Sequence, residues 1–151
     1  MTSSMNAPAW TFEYSIDCNT SRQFAWKYWT DISNWNDPPA RFELDGPFEV
    51  GSQLTTTLPG QTYHSIIRRV DPDRAATIEM QLTEGVLSFR WEFEDLTESR
   101  TRITQRLTLS TASAALVAQA NLLEQTTPVG MNKLVAAIER AFNERRDSGM
   151  A

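Results

Sequence analysis

In WTFEYSID, residues 10–17, apolar and polar positions alternate: Trp10, Phe12, Tyr14 and Ile16 fall on one face, and Thr11, Glu13, Ser15 and Asp17 on the other. Successive strand side chains point to opposite faces, so this period of two predicts a half-buried strand. Beyond Cys18 the period lengthens. Asn19, Thr20 and Ser21 each offer a side-chain oxygen that can accept a hydrogen bond from a free amide in the first turn of a helix. Ala25, Trp26, Trp29 and Ile32 then follow at helical spacing on one stripe. Pro38 and Pro39 stop the segment, because proline cannot continue a helix and restricts the residue before it.

From residue 41 to about 111 the pattern is that of short strands separated by turn chemistry. LPGQ at 58–61 reads as a type II turn, with Pro59 presetting φ and Gly60 taking the positive φ that follows. DPDR at 71–74, TEGV at 83–86 and TES at 97–99 read as further turns. Closing each into a hairpin sets Thr56 against Tyr63, Leu82 against Leu87, Met80 against Phe89, Phe93 against Ile103 and Trp91 against Gln105. Every hairpin then presents its apolar set on the same side. That inner face comprises Leu54, Thr56, Leu58, Tyr63, Ser65, Ile67, Ile78, Met80, Leu82, Leu87, Phe89, Trp91, Phe93, Ile103, Gln105, Leu107 and Leu109. Val70 joins it only through a bulge at Arg68 and Arg69.

The alanine-rich STASAALVAQANLLEQ is predicted helical, and Pro128 opens a second helical pattern whose stripe is Met131, Leu134, Val135, Ile138 and Phe142. Pattern alone leaves open whether Pro128 separates two helices or sits within one. The domain is expected over residues 10–145, with 1–9 and 146–151 as flexible termini.

Composition narrows the function classes. A chain of 151 residues makes about one domain and buries roughly 70% of its unfolded surface. A formal charge of -5 argues against nucleic acid and anionic membrane, which need a basic face. The N-terminal residues lack a signal-peptide pattern, and no apolar run reaches the ~18 residues of a membrane span, so a cytoplasmic protein with no membrane insertion is expected. One cysteine, Cys18, excludes an internal disulfide, and one histidine, His64, excludes a histidine-rich metal site.

The motifs AWKYWTDISNW, LDGPFEVGSQL, RRVDPDR and FRWEFEDL, in this order and spacing, resemble the START-like, or SRPBCC, family of polyketide cyclase/dehydrase-like proteins over residues 10–145. The resemblance implies an α+β helix-grip fold: a curved antiparallel sheet of about seven strands around a long C-terminal helix, with a short helix pair after the first strand. It also implies a hydrophobic cavity between sheet and helix that holds lipids, polyketides or sterols. The family has no universal catalytic residue to carry over.

Three of the five tryptophans lie in AWKYWTDISNW, residues 25–35. In the implied fold Trp26 and Trp29 point into the core, while Trp35 falls near the strand edge, where a cavity would open. The informative residues are the polar ones on the apolar face: Thr56, Tyr63, Ser65 and Gln105. A buried hydroxyl or amide without a partner costs about 1–3 kcal/mol, so each bonds to protein, to water or to a ligand. With Met80, Phe89, Trp91 and Leu107 as walls, these polar residues and Trp35 form the candidate ligand-binding set. His64 falls on the outer face. Cys18 has no basic sequence neighbour to activate it. Glu79, Arg90, Glu92, Glu94 and Arg106 alternate with apolar residues and therefore face water, paired across strands. No catalytic residue, metal ligand or cofactor is assigned.

The leading expectation is a carrier or sensor of a small hydrophobic ligand, apolar or aromatic, with a homodimer left open. A polyketide aromatase, cyclase or dehydratase is the alternative. A third class is a partner-binding protein related to chaperone activators of this fold, which an exposed apolar patch at Leu116, Val117, Leu122 and Leu123 would favour.

Overall fold

The alternation at the N-terminus forms strand β1 (Trp10–Cys18), and Ser21 caps helix α1 (Arg22–Thr30) by accepting the Phe24 amide hydrogen bond at 3.2 Å. A 3₁₀ helix (Ile32–Asn34) completes the pair, with the Asp31 side chain accepting from the Ser33 amide. Six strands follow: β2 (Arg41–Leu44), β3 (Gln53–Leu58), β4 (Gln61–Asp71), β5 (Ala75–Leu82), β6 (Gly85–Thr97) and β7 (Arg100–Leu109). Helix α2 (Ala114–Gly149) ends the chain. The computed structural model describes residues 9–35, 38–111 and 113–149. The expected flexible ends at 1–8 and 150–151 lie outside the described residues, whereas α2 continues past 145 to Gly149.

The strands form one antiparallel sheet in the order β1-β7-β6-β5-β4-β3-β2. It is a meander of hairpins from β2 to β7, with β1 added beside β7. β1 pairs in register from Trp10 opposite Leu109 to Cys18 opposite Thr101, which puts Phe12, Tyr14 and Ile16 on the face of Leu107, Gln105 and Ile103. This sheet under a long helix is the α+β helix-grip architecture expected from the motif order.

Most of the expected register holds. Thr56 stands opposite Tyr63, Phe93 opposite Ile103 and Trp91 opposite Gln105. Pro59 and Gly60 make the two-residue turn between β3 and β4, with Gly60 at φ 77°. A register shift between Ile67 and Arg69 turns Val70 inward onto the core, as the bulge requires.

The β5–β6 hairpin differs. Leu82 faces Gly85, Met80 faces Leu87 and Ile78 faces Phe89, so the expected partners are displaced by two residues. The turn consists of Thr83 and Glu84 alone, and Gly85 belongs to the strand rather than the turn. Its lack of a side chain serves close packing: a Cβ there would lie 3.1 Å from Ser110 Oγ and 3.3 Å from the Thr111 side chain. A shift of two preserves the pleat, so every side chain keeps its expected face.

Helix α2 is continuous, with Pro128 inside it. Three hydrogen bonds lay it along β1: Trp10 Nε1 to Glu124 at 2.9 Å, Asn132 Nδ2 to Tyr14 Oη at 3.3 Å, and the Asn19 amide to Glu139 at 2.8 Å. Its far end meets α1, where the Phe142 and Phe24 rings pack edge to face at 5.0 Å and the Arg145 guanidinium lies over the Phe24 ring.

The core has two parts. The larger, at the α1 end, gathers Trp26, Trp29, Ile67, Ile78, Phe93, Ile103, Met131, Val135 and Ile138. The smaller, where α2 begins, rests on Leu87, Leu107, Leu109 and Leu116.

Candidate ligand site

At the α1 end, aromatic rings close the concave side of the sheet. Trp29, only 2% exposed, contacts Trp91 at 4.9 Å, Phe48 at 5.1 Å, Phe93 at 5.5 Å and Trp26 at 5.7 Å between ring centroids. Offset and edge-to-face rings at these distances add to the gain from area burial, so α1 is locked to β6 and to the loop carrying Phe48. Trp26 and Trp29 are core residues. Trp35 belongs with them: its indole N–H donates to the Trp29 carbonyl at 2.6 Å, and its ring packs on Trp29 and Phe42.

Toward the other end the concave face loosens. Tyr63, Met80, Leu82 and Phe89 are only half-buried, although all lie on the inner face of central strands, and Trp91, which borders the Trp29 cluster, is half-buried as well. Between these side chains stand the inward polar residues. Thr56, Ser65 and Gln105 are 9%, 4% and 8% exposed. Their side chains make no hydrogen bond among the described residues, and the one sealed, unpartnered side-chain atom there is Arg22 Nε. The hydroxyls and the amide are therefore not sealed off, so water or another partner can still bond them.

The register joins the candidates in pairs: Ser65 beside Met80, Thr56 beside Tyr63, Trp91 beside Gln105 and Phe89 beside Leu107. Leu107 is fully buried, a wall rather than a contact surface. Tyr63 also lines a cleft of about 330 Å³ between the β3–β4 hairpin, the β5–β6 turn and the first turns of α2. Leu82 and Leu116 supply its apolar lining, and Gln61, Thr62, Gln81, Thr83, Glu84 and Gln119 its polar rim. This rim is invisible to alternation, because its members sit at strand ends and on a turn. A sequence signal did exist in the uncharged glutamines and threonines flanking both turns.

Other groups fall as expected, with one difference. His64 is exposed, on the convex side between Thr55 and Gln81. Cys18 is a buried free thiol that burial pushes up from 9.0 to about 11; its contact with Thr20 opposes that shift, and the Glu139 carboxylate adds to it. It is no nucleophile. Arg68–Glu79 and Arg106–Glu13 pair across strands, whereas Arg90 pairs with Glu92, two positions along its own strand. That spacing keeps both on one face, so water exposure is preserved while the expected cross-strand partner is replaced. The apolar patch on α2 divides: Val117 and Leu122 are 45% and 59% exposed, Leu116 is buried and Leu123 half-buried.

A second cleft, of about 510 Å³, lies near the start of α1 and is lined by charge of both signs, including Arg22, Arg74, Arg90, Glu92 and Asp95. Arg22 is 12% exposed there and reaches Asp95 at 3.5 Å, tying α1 to β6. Among the described residues no helix is long and apolar enough to cross a membrane, and no group of His, Cys, Asp or Glu is placed to hold a metal ion.

No family model and no curated protein matches this chain. Solved structures do. The Zhui aromatase/cyclase from Streptomyces sp. R1128 aligns with a TM-score of 0.70 at 18% identity over 87% of this chain and 94% of that one. Norcoclaurine synthase from Thalictrum flavum, solved in complex with dopamine and hydroxybenzaldehyde, aligns at 0.64 and 16% identity over 89% and 87%. A Mesorhizobium loti protein aligns at 0.72 and 11% identity over 87% and 98%. These likenesses identify the fold as that of the START-like, SRPBCC group.

Proposed function

We propose that this chain takes up a small apolar or aromatic molecule between the concave face of the sheet and α2, and acts as its carrier or sensor. The observation that carries the reading is the trio Thr56, Ser65 and Gln105, buried among apolar walls yet without hydrogen-bond partners among the described residues. Few polar groups converging on an apolar interior is what orients a ligand whose body is held by hydrophobic contact. Half-exposed Phe89, Trp91 and Met80 supply the apolar surface that such a body would cover. Trp91 provides the readout. Apolar dyes are expected to quench tryptophan emission and raise the melting temperature at micromolar concentration. A broad panel that changes neither sinks the reading.

An aromatase or cyclase activity is the second reading, favoured by the likeness to the Zhui enzyme and by the Tyr63 hydroxyl in the cleft. Such a reaction needs a reactive chain held in a folded shape and one or two hydrogen-bond donors rather than a strong acid–base pair. Incubation with a synthetic poly-β-ketone thioester separates the two: ring formation lost in Tyr63→Phe supports chemistry, and release of unchanged compound supports carriage.

A further inference from the structure

The groups lining the Tyr63 cleft and the unpartnered polar groups of the inner face, joined through the Thr56–Tyr63 pair, have a common property that bears on the ligand's charge. Among the described residues, the cleft's lining offers three amides, Gln61, Gln81 and Gln119, and the Tyr63 phenol, with Glu84 as its only carboxylate and no Lys, Arg or His. On the inner face, Thr56, Ser65 and Gln105 are again neutral. We infer that the ligand's polar end is electrically neutral and bears hydroxyl or carbonyl groups, an inference that rests on the binding reading above. Amides and hydroxyls both donate and accept, which matches such groups without a fixed charge. A carboxylate or phosphate would leave water with no cation to meet it and would face Glu84, so its desolvation would go uncompensated.

The test uses one displaceable apolar dye and two matched probes, 2-naphthylmethanol and 2-naphthoate, at pH 7.5. The alcohol is expected to displace the dye at concentrations at least about tenfold lower than the carboxylate. Gln119→Lys, at an exposed helix position, is expected to bring the carboxylate to within about threefold of the alcohol by supplying the cation that the lining lacks. A carboxylate that binds the unmodified protein as tightly as the alcohol, with the dye still bound and displaced, overturns the neutral-ligand inference and leaves the binding reading standing. If neither dye nor probes bind, the binding reading itself fails and the inference falls with it.

Discussion

The two ends of the molecule are built from the same sheet and spend their apolar side chains differently. At the α1 end, Trp26, Trp29, Phe93 and Ile103 are buried against one another, and the Trp29 ring alone meets five aromatic rings with centroids no more than 6.0 Å away. At the α2 end, four buried leucines hold a smaller cluster, and Met80, Leu82 and Phe89 around it stay half-exposed. Stability concentrates where rings interlock and water is excluded. Adaptability is left where inner-face residues lack partners, which is the condition a binding site needs.

Removing a ring from the closed end gives the largest expected effect. Trp29→Ala should lower unfolding stability by about 3–5 kcal/mol, read from urea titration, since it deletes a large buried side chain and opens a cavity. A loss below about 1 kcal/mol would erase the contrast between the two ends.

The open end is sharpened by Gln105→Leu. The empty protein should be unchanged or slightly more stable, because an unbonded amide is replaced by an apolar group. Polar-headed ligands should weaken by about 1–3 kcal/mol while hydrocarbons are spared. Strong destabilisation of the empty protein with every affinity intact would instead make Gln105 a structural residue, shifting the polar contact to Tyr63 or Ser65.

Alkaline titration probes the seal at the α1 end. Cys18 keeps its proton to about pH 11 in the folded chain, whereas an exposed thiol ionises near 9.0. The native state thus binds more protons than the unfolded state in that window. The stabilising contribution is complete below pH 9 and declines as pH rises toward 11. Cys18→Ala should flatten this part of the stability profile, and an unaltered profile would mean that the thiol is open to water. Smallest of all is His64→Ala on the convex face, expected within about ±0.5 kcal/mol in stability and without effect on binding. A hundredfold loss of any turnover in that variant would place chemistry on the outside of the sheet.

How legible the site was depended on the kind of signal each residue carries. Thr56, Tyr63, Ser65 and Gln105 were identifiable because polar residues at apolar positions interrupt a period that is otherwise kept, and they do lie inward. Trp35 shows no such interruption. Its role as a hydrogen-bonded brace on Trp29 comes from the chain doubling back after α1. The rim glutamines escape the apolar period, and what marks Gln61 and Gln81 is only their place beside turns; Gln119 reaches them because α2 starts next to the β5–β6 turn. Phe48 in the aromatic cluster and the buried Arg22 were likewise silent, one in a loop and one in an ordinary first helical turn.

From the amino-acid order alone came the strands, the face each side chain takes, the cap at Ser21 and the turn at Gly60. These depend on local dihedral preferences and on periods of two or 3.6 residues. Only the tertiary structure decided that Leu82 pairs with Gly85 rather than Leu87, that α2 runs unbroken through Pro128, and that rings interlock at one end while Met80, Leu82 and Phe89 stay half-buried at the other. A shift of two residues leaves every face unchanged, so periodicity cannot detect it; it shows only in the packing, where a Cβ at Gly85 would push against Ser110 and Thr111. How tightly each end packs likewise depends on contacts between residues remote in sequence.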